Sequence, residues 1–272
     1  MGRYRLVAMG PSSVKSAPYD RGFYRSIESG SERAARRVLP LVFDLVRPQS
    51  VVDLGCGDGS WLSVCRELGI EEVLGLDGPW VDPTRLKIPA DRFQPVDLTG
   101  PTTTLPRFDL SMSLEVAEHL PAEAAPTFVE RLTTLAPVVF FAAAVPGQGG
   151  TGHVNEQWAD YWSELFAARG YRIVDAIRPE LWGDDEVESW YLQNSFLYVS
   201  DEAIEASPRL GEAADAGLRW PARIVHPRLL QRVADQPELT LGQHLRRLPQ
   251  AARVTWGNRL DAFRHRAAAR RS

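Results

Sequence analysis

VVDLGCGDG, residues Val51 to Gly59, is the most informative stretch of this 272-residue chain. Val51 to Leu54 form an apolar run of strand length, and a helical pattern covers Ser60 to Leu68. Between them stand Gly55, Gly57 and Gly59. Glycines at such a junction let the backbone turn sharply and come close to a ligand with no Cβ in the way. The open N–H groups and the positive end of the helix then face a negative group such as a carboxylate or phosphate. In open α/β sheets, ligands sit beyond the carboxyl ends of the strands, where this loop falls.

Outward from the loop, strands and helices alternate. Upstream, Ser31 to Val46 predicts a helix that Ser29 or Ser31 can cap, with Ala34, Ala35, Val38, Leu41, Val42 and Leu45 at helical spacing and Pro48 ending it. Downstream, strands are expected at Val73–Leu76, Phe93–Val96, Phe108–Ser113 and Val138–Val145, with helices at Ala122–Leu135 and Asn155–Arg169. Tyr171–Ile177 and Ser195–Val199 close the series as two strands with no helix between them, which predicts an antiparallel hairpin at one edge. The expected fold is α/β: a Rossmann-like, doubly wound, mostly parallel seven-stranded sheet with helices on both faces and a C-terminal helical extension. Three parts are expected: residues 1–48 as an N-terminal segment and helix, 49–200 as the ligand-binding domain, and 201–272 as the extension.

Composition narrows the function classes. With 44% hydrophobic and 24% charged residues, the chain is neither disordered nor fibrous. Two cysteines, Cys56 and Cys65, cannot make a disulfide framework, and a reducing, cytoplasmic setting is expected. No apolar run is long enough to span a membrane, and the stretch in MGRYRLVAMGPSS is too short for a secretory signal. From Asp201 onward 13 arginines face 8 acids, a balance of +5 that leaves −9 elsewhere in a total of −4. No basic motif interleaved with aromatics accompanies that tail, so neither nucleic acid nor a membrane is expected as a partner. Leu218, Ile224, Leu229, Leu230, Leu239, Leu241 and Leu245 give the extension an apolar side that can pack on its own domain or pair two chains as a homodimer.

Two nucleotide-binding fingerprints fail on inspection. A dinucleotide loop needs glycine at position 60, where Ser60 stands, and a P-loop needs a Gly-Lys-Ser/Thr that is missing. The pattern Asp53-x-Gly55-x-Gly57-x-Gly59 instead resembles the first motif of class I S-adenosylmethionine-dependent methyltransferases, and the order of elements agrees from about Val51 to Val199. The resemblance implies S-adenosylmethionine as cofactor, held at Gly55, Cys56 and Gly57. It implies that Asp77, followed by Gly78, accepts hydrogen bonds from both ribose hydroxyls, a task that suits a carboxylate. Asp97 would lie near the adenine amino group with Leu98 beside the ring; the alternative for Asp97 is a surface turn. Asp53 would position the loop and the cofactor's amino group.

SLEVAEHLP, Ser113 to Pro121, resembles the motif that follows the fourth strand in small-molecule methyltransferases related to ubiquinone and sugar enzymes. That likeness places Glu115 against cofactor or acceptor, and Glu118 and His119 near the transferring methyl or bracing the loop. Methyl transfer from a sulfonium needs an aligned acceptor and management of one proton, which a neutral imidazole can take near pH 7. His119 and His153 are the histidines of residues 49–200, so the expected catalytic groups are His153, His119 and Glu118. Either imidazole could instead hold a backbone carbonyl.

Trp158, Trp182, Trp190 and Tyr191 are the candidate acceptor contacts, because aromatic faces beside carboxylates suit a sugar ring. Trp158 and Trp162, four apart, equally suit core packing. The acids of Gly183-Asp184-Asp185-Glu186 admit a Mg2+ reading beside that of a solvated turn. HVNEQWxxYWxxLFxxxGY, from His153 to Tyr171, with the later Trp190-Tyr191-x-x-Asn194, resembles bacterial methyltransferases of sugar and glycolipid biosynthesis. These include enzymes that methylate mannosides in polysaccharide assembly. The resemblance implies an O-methyltransferase acting on a sugar or glycoside hydroxyl. A polyketide, phenolic or carboxylate acceptor is the alternative, and so is a binding module that keeps the fold without catalysis.

Overall fold

The computed structural model describes residues 21–100 and 105–234. The chain enters through helix α1 (Arg21–Val46), which continues past Pro40 and ends where Arg47 takes φ +51° ahead of Pro48. Strand β1 (Ser50–Leu54), helix α2 (Ser60–Glu67) and strand β2 (Glu72–Asp77) follow, then β3 (Phe93–Pro95) and β4 (Leu110–Leu114). Helix α3 (Ala125–Leu135), strand β5 (Val138–Ala142), helix α4 (Ala159–Ala167) and strand β6 (Tyr171–Val174) come next. Short helices α5 (Arg178–Leu181) and α6 (Ser189–Asn194) precede β7 (Phe196–Ser200), and α7 (Asp201–Ala206), α8 (Pro208–Ala216) and α9 (Pro227–Ala234) end the described chain.

The seven strands form one sheet in the order β3-β2-β1-β4-β5-β7-β6. All neighbouring pairs are parallel except those of β7, which runs antiparallel to both β5 and β6. The doubly wound sheet and its antiparallel edge match the expectation. Adjacent strand residues point to opposite faces. Val51, Val73, Met112 and Phe140 therefore pack with α1, α2 and α8 on one side, through Val38, Leu39, Leu62, Val64 and Leu210. Val52, Leu54, Leu74 and Phe141 pack with α3 and α4 on the other, through Phe128, Leu132, Trp162 and Phe166. The order of strands reverses between β1 and β4, so the carboxyl ends of β1, β2, β4 and β5 open onto one rim.

Two boundaries differ from the sequence expectation for identifiable reasons. Helix α4 starts at Ala159 rather than Asn155, because the N–H groups of Val154 and Asn155 bond to the Glu118 carbonyl at 2.9 and 3.0 Å and that of Gln157 to Ala144 at 3.1 Å. The last two strands are joined through α5 and α6 rather than a bare turn. A buried ion pair anchors that connection: Arg178 donates from Nε and a terminal nitrogen to both carboxylate oxygens of Asp175 at 2.8 and 2.6 Å. Its guanidinium also stacks 4.2 Å from the Phe196 ring and reaches the Trp220 and Pro221 carbonyls at 3.3 Å. The strand expected over Val138–Val145 ends at Ala142, and none of the described helices is long and apolar enough to cross a membrane.

Between Asp201 and Ala234 the described residues form the expected helices, α7, α8 and α9, with a non-helical stretch over 217–226. Ser200 and Ser207 cap α7 and α8, and Leu210 and Ala214 are buried on the domain. Leu229 is buried while Leu218 and Leu230 are exposed. The first compact unit runs through Leu230; Leu239, Leu241 and Leu245 lie outside the described residues.

Candidate active site

The loop after β1 turns on three left-handed glycines: Gly55 at φ +89°, Gly57 at φ +56° and Gly59 at φ +80°. A Cβ at Gly55 would collide with the Val116 side chain, so this glycine is required by close packing. A Cβ at Gly57 would meet no atom within 4 Å, leaving an open cradle in front of the loop. The N–H of Gly57 donates to one Asp77 oxygen at 2.7 Å and that of Gly78 to the other at 2.6 Å. Lys87 pins the far side of the loop, pairing with Asp58 at 3.2 Å and with Glu32 of α1 at 2.7 Å.

Two acids face each other below this loop. Asp53 is buried, and burial with the neighbouring Asp77 charge pushes its pKa up to about 8. Burial also raises Asp77, opposed by its backbone donors and by a hydrogen bond from the Trp80 side chain. Trp80 is 55% exposed and its indole lies over Gly78. Cys56, on the same loop, is buried with its Sγ against Gly75, and burial keeps its thiol protonated.

A second polar group forms beyond β4 and β5. Glu115 takes φ +58°, an uncommon conformation for a side chain of its size. Its carboxylate accepts from Gln148 at 2.5 Å and from Asn194 at 2.9 Å, and Asn194 also donates to the Gln148 carbonyl oxygen at 2.9 Å. Behind Asn194, Gln193 accepts from the His226 N–H at 2.7 Å.

Val116 then touches the glycine loop, and the 3₁₀ turn Ala117–His119 follows. Glu118 is fully buried, and neither of its oxygens has a hydrogen-bond partner. The N–H groups of Glu118 and Ala144 favour its charged form without making bonds of proper geometry. Burial and the Glu115 charge outweigh them and raise its pKa well above the usual carboxylate range. His153 Nε2 lies 4.0 Å from Glu118 Oε1, its Nδ1 2.8 Å from Glu156, and its ring edge-on to His119 at 4.8 Å. Burial and the neighbouring His153 lower the His119 pKa.

The structure thus brings Asp53, Gly55, Cys56, Gly57, Asp77 and Gly78 together, and joins Glu115, Glu118, His119 and His153 beside them. Other candidates stand apart. Asp97 is exposed and caps Thr99 at 2.8 Å from its N–H and 2.6 Å from its hydroxyl, while Leu98 is buried in the core. Tyr191 is buried against Trp61 and Ser31. Trp182 stacks edge-on to Trp220 at 4.8 Å, Trp190 packs against the core, and Trp158 is half-buried before α4. The acidic turn is occupied by arginines: Asp184 pairs with Arg37 at 2.7 Å and Asp185 with Arg228 at 3.7 Å.

Glu156, Gln148, Asn194 and Trp80 were not foreseen as site residues. Their only sequence signal was position, just after β5, in the Trp-Tyr-x-x-Asn segment, or three residues past Asp77.

A glycine cradle at the switch point, with a buried acid at the end of β2 and a polar rim after β4, defines a class I S-adenosylmethionine-dependent methyltransferase. A methyltransferase-domain family model matches residues 26–176, more than half of the chain, and the chain belongs to that family. No curated protein matches it at the level of sequence. Among solved structures, DesVI from Streptomyces venezuelae aligns at 15% identity and a TM-score of 0.50, covering 65% of this chain and 95% of that one. The sugar N-methyltransferase KedS8 from Streptoalloteichus sp ATCC 53650 aligns at 16% identity, TM-score 0.49, over 72% of this chain and 99% of that one. Human N-acetylserotonin methyltransferase, solved with its cofactor, gives 17% identity and TM-score 0.48, covering 65% of this chain and 55% of that one.

Proposed function

We propose that the chain transfers a methyl group from S-adenosylmethionine to a hydroxyl of a small polar acceptor, best matched by a sugar or glycoside. The observation that carries this reading is the fan of hydrogen-bonding groups beside the cradle: Glu115, Gln148, Asn194, Glu118, His119 and His153. Such a set suits an acceptor rich in hydroxyls, and the likeness of His153–Tyr171 to sugar and glycolipid enzymes points the same way.

In this reading Gly55, Cys56 and Gly57 admit the cofactor's methionine end, and Asp53, once ionised, pairs with its ammonium. Asp77 takes the ribose hydroxyls after Trp80 moves aside, and Asp97 and Leu98 flank the adenine side. The bound cofactor supplies an activated methyl. The polar cluster of Glu115, Glu118, His119 and His153 would hold the acceptor hydroxyl in line with that methyl and manage the loss of its proton. Trp158, half-buried at the start of α4, remains the aromatic candidate for the acceptor side, whereas Trp182 packs on Trp220 and Trp190 against the core.

Calorimetric titration with S-adenosylhomocysteine tests the cofactor half, with saturable binding expected and no binding overturning it. Mass spectrometry of reactions with a panel of glycosides, phenols and carboxylates tests the other half. A mass gain of one methylene on glycosides is expected, and methylation confined to phenols or carboxylates would overturn the acceptor class.

A further inference from the structure

Glu118 poses a problem that methyl transfer alone does not answer. Its carboxyl group is fully buried, and both oxygens lack a hydrogen-bond partner. An unpartnered buried carboxyl group is costly, and such groups in folded proteins generally have a partner or a function. What faces it is two imidazoles. One ligand-type atom from each of Glu118, His119 and His153 lies within 4.8 Å of the others, and among the described residues no other trio of acidic, histidine or cysteine side chains converges in this way.

The surroundings orient these groups as ligands. Nδ1 of His153 lies 2.8 Å from Glu156 Oε1, and Glu156 is itself held by the N–H groups of Gly147 at 2.8 Å and Gly149 at 2.9 Å. With Nδ1–H donated to that carboxylate, the lone pair of Nε2 is directed toward Glu118, 4.0 Å away. A carboxylate behind a histidine is the usual second support of a metal-bound imidazole. His119 is likewise hydrogen-bonded to the Gly152 backbone. The main-chain oxygen of Glu118 accepts from Val154 at 2.9 Å and Asn155 at 3.0 Å, so the two ligand-bearing segments are stitched together. Small rotations of two rings and one carboxylate bring the three atoms to the ~3–3.5 Å that separates ligands about 2.1 Å from a common ion.

We propose that Glu118, His119 and His153 bind one divalent first-row transition-metal ion, of the Mn2+, Co2+ or Zn2+ type, at the acceptor side of the rim. Two imidazoles and one carboxylate favour these ions over Mg2+, which prefers all-oxygen surroundings. Three protein ligands leave positions open, and hydroxyl oxygens of the acceptor fill them. That last step rests on the methyl-transfer reading; the ion site does not. The imidazoles would then orient the acceptor through the ion, which makes the bound hydroxyl more acidic, and its proton would pass to water rather than to either ring.

The test uses the full chain, freed of any tag and stripped with chelator, titrated with MnCl2 while electron paramagnetic resonance follows free Mn2+. One ion per chain is expected. His153→Ala and Glu118→Gln are each expected to weaken binding at least about tenfold, and Glu156→Gln about tenfold or more through the lost support. Asp184→Asn, in the arginine-paired turn, is expected to bind as wild type does. Thermal unfolding of each variant reports whether it folds, and Glu118→Gln keeps the shape of the side chain while removing its charge. The absence of saturable Mn2+ binding overturns the proposal, as does wild-type affinity in the folded His153→Ala and Glu118→Gln proteins. Calorimetry with S-adenosylhomocysteine on the same samples separates the two readings. Cofactor binding without Mn2+ binding overturns only the ion site, and Mn2+ binding without cofactor binding overturns only methyl transfer.

Discussion

Replacing Gly57 and Gly55 by alanine, one at a time, separates two demands on the cofactor loop. Gly57 sits at φ +56°, and a Cβ there would meet nothing within 4 Å. Alanine at 57 therefore costs only the left-handed backbone penalty, about 1–2 kcal/mol. A domain stable by roughly 5–15 kcal/mol survives that loss. At about 2–4 °C per kcal/mol for a domain of this size, Tm falls by about 2–8 °C. The new methyl group projects into the cradle, so affinity for S-adenosylhomocysteine is expected to fall at least tenfold, about 1.4 kcal/mol. Gly55 is different: at φ +89° its Cβ would also strike the Val116 side chain. Strain plus repacking add to about 2–6 kcal/mol, so Gly55→Ala should lose more stability than Gly57→Ala. Differential scanning calorimetry gives the Tm values and isothermal titration the affinities. A folded Gly57→Ala protein that binds S-adenosylhomocysteine within twofold of wild type would refute the cradle assignment. A Gly55→Ala Tm no lower than that of Gly57→Ala would refute the packing argument.

Other consequences follow from buried charge. Unfolded, Asp53 ionises near pH 4; folded, it holds its proton up to about pH 8. The folded state binds the extra proton between those values, so stability falls as pH rises from about 4 to 8. Asp53→Asn should flatten that slope and raise Tm at pH 7.5; an unchanged Tm–pH profile would refute it. Cofactor affinity should rise about tenfold per pH unit below 8 as Asp53 ionises to meet the ammonium, a dependence that calorimetry should find missing in Asp53→Asn. Arg178→Met strands the buried Asp175 carboxylate and should cost about 3–5 kcal/mol in urea unfolding, with a cost under about 1 kcal/mol contradicting the pair's role. Trp80 covers Gly78 and donates to Asp77, so cofactor binding should displace it. The resulting tryptophan fluorescence change should vanish in Trp80→Phe, and its persistence would place the signal elsewhere.

What could be read from the sequence was local. Val51 to Leu54, the three glycines and the helix from Ser60 are consecutive, and their conformations follow from alternation, glycine freedom and helical spacing within one short window. The edge pairing of β6 and β7 was read from two apolar runs with no helical pattern between them; the pairing is antiparallel as expected, although α5 and α6 do intervene. Helices of four and six residues, α5 and α6, span too few turns to show periodicity. The start of α4 moved because Val154, Asn155 and Gln157 spend their N–H groups on Glu118 and Ala144, partners no local pattern reveals. Gln148 and Asn194 reach Glu115 from 33 and 79 residues away, and nothing in their own neighbourhoods announces it. Asp97 stands at its motif position, and one of its oxygens, Oδ1, also caps the Thr99 turn, because an exposed aspartate close to a threonine caps its own backbone readily.

The two halves of the site are mechanically one because of a single backbone choice. Glu115 leaves β4 at φ +58°, a conformation that would cost a free glutamate on the order of 1 kcal/mol. It is held there by its own N–H, bonded to Ala142 at 2.8 Å, and by a carboxylate fixed between Gln148 and Asn194. Hydrogen bonds to a charged group contribute about 1.5–3 kcal/mol each, so two of them outweigh the strain. The left-handed turn directs Val116 onto Gly55 and carries Glu118 back under His153. The cradle and the acceptor cluster are thus set by adjacent residues, 115, 116 and 118. An acceptor that draws Glu115 away from its amide partners would loosen the contact that seats the glycine loop.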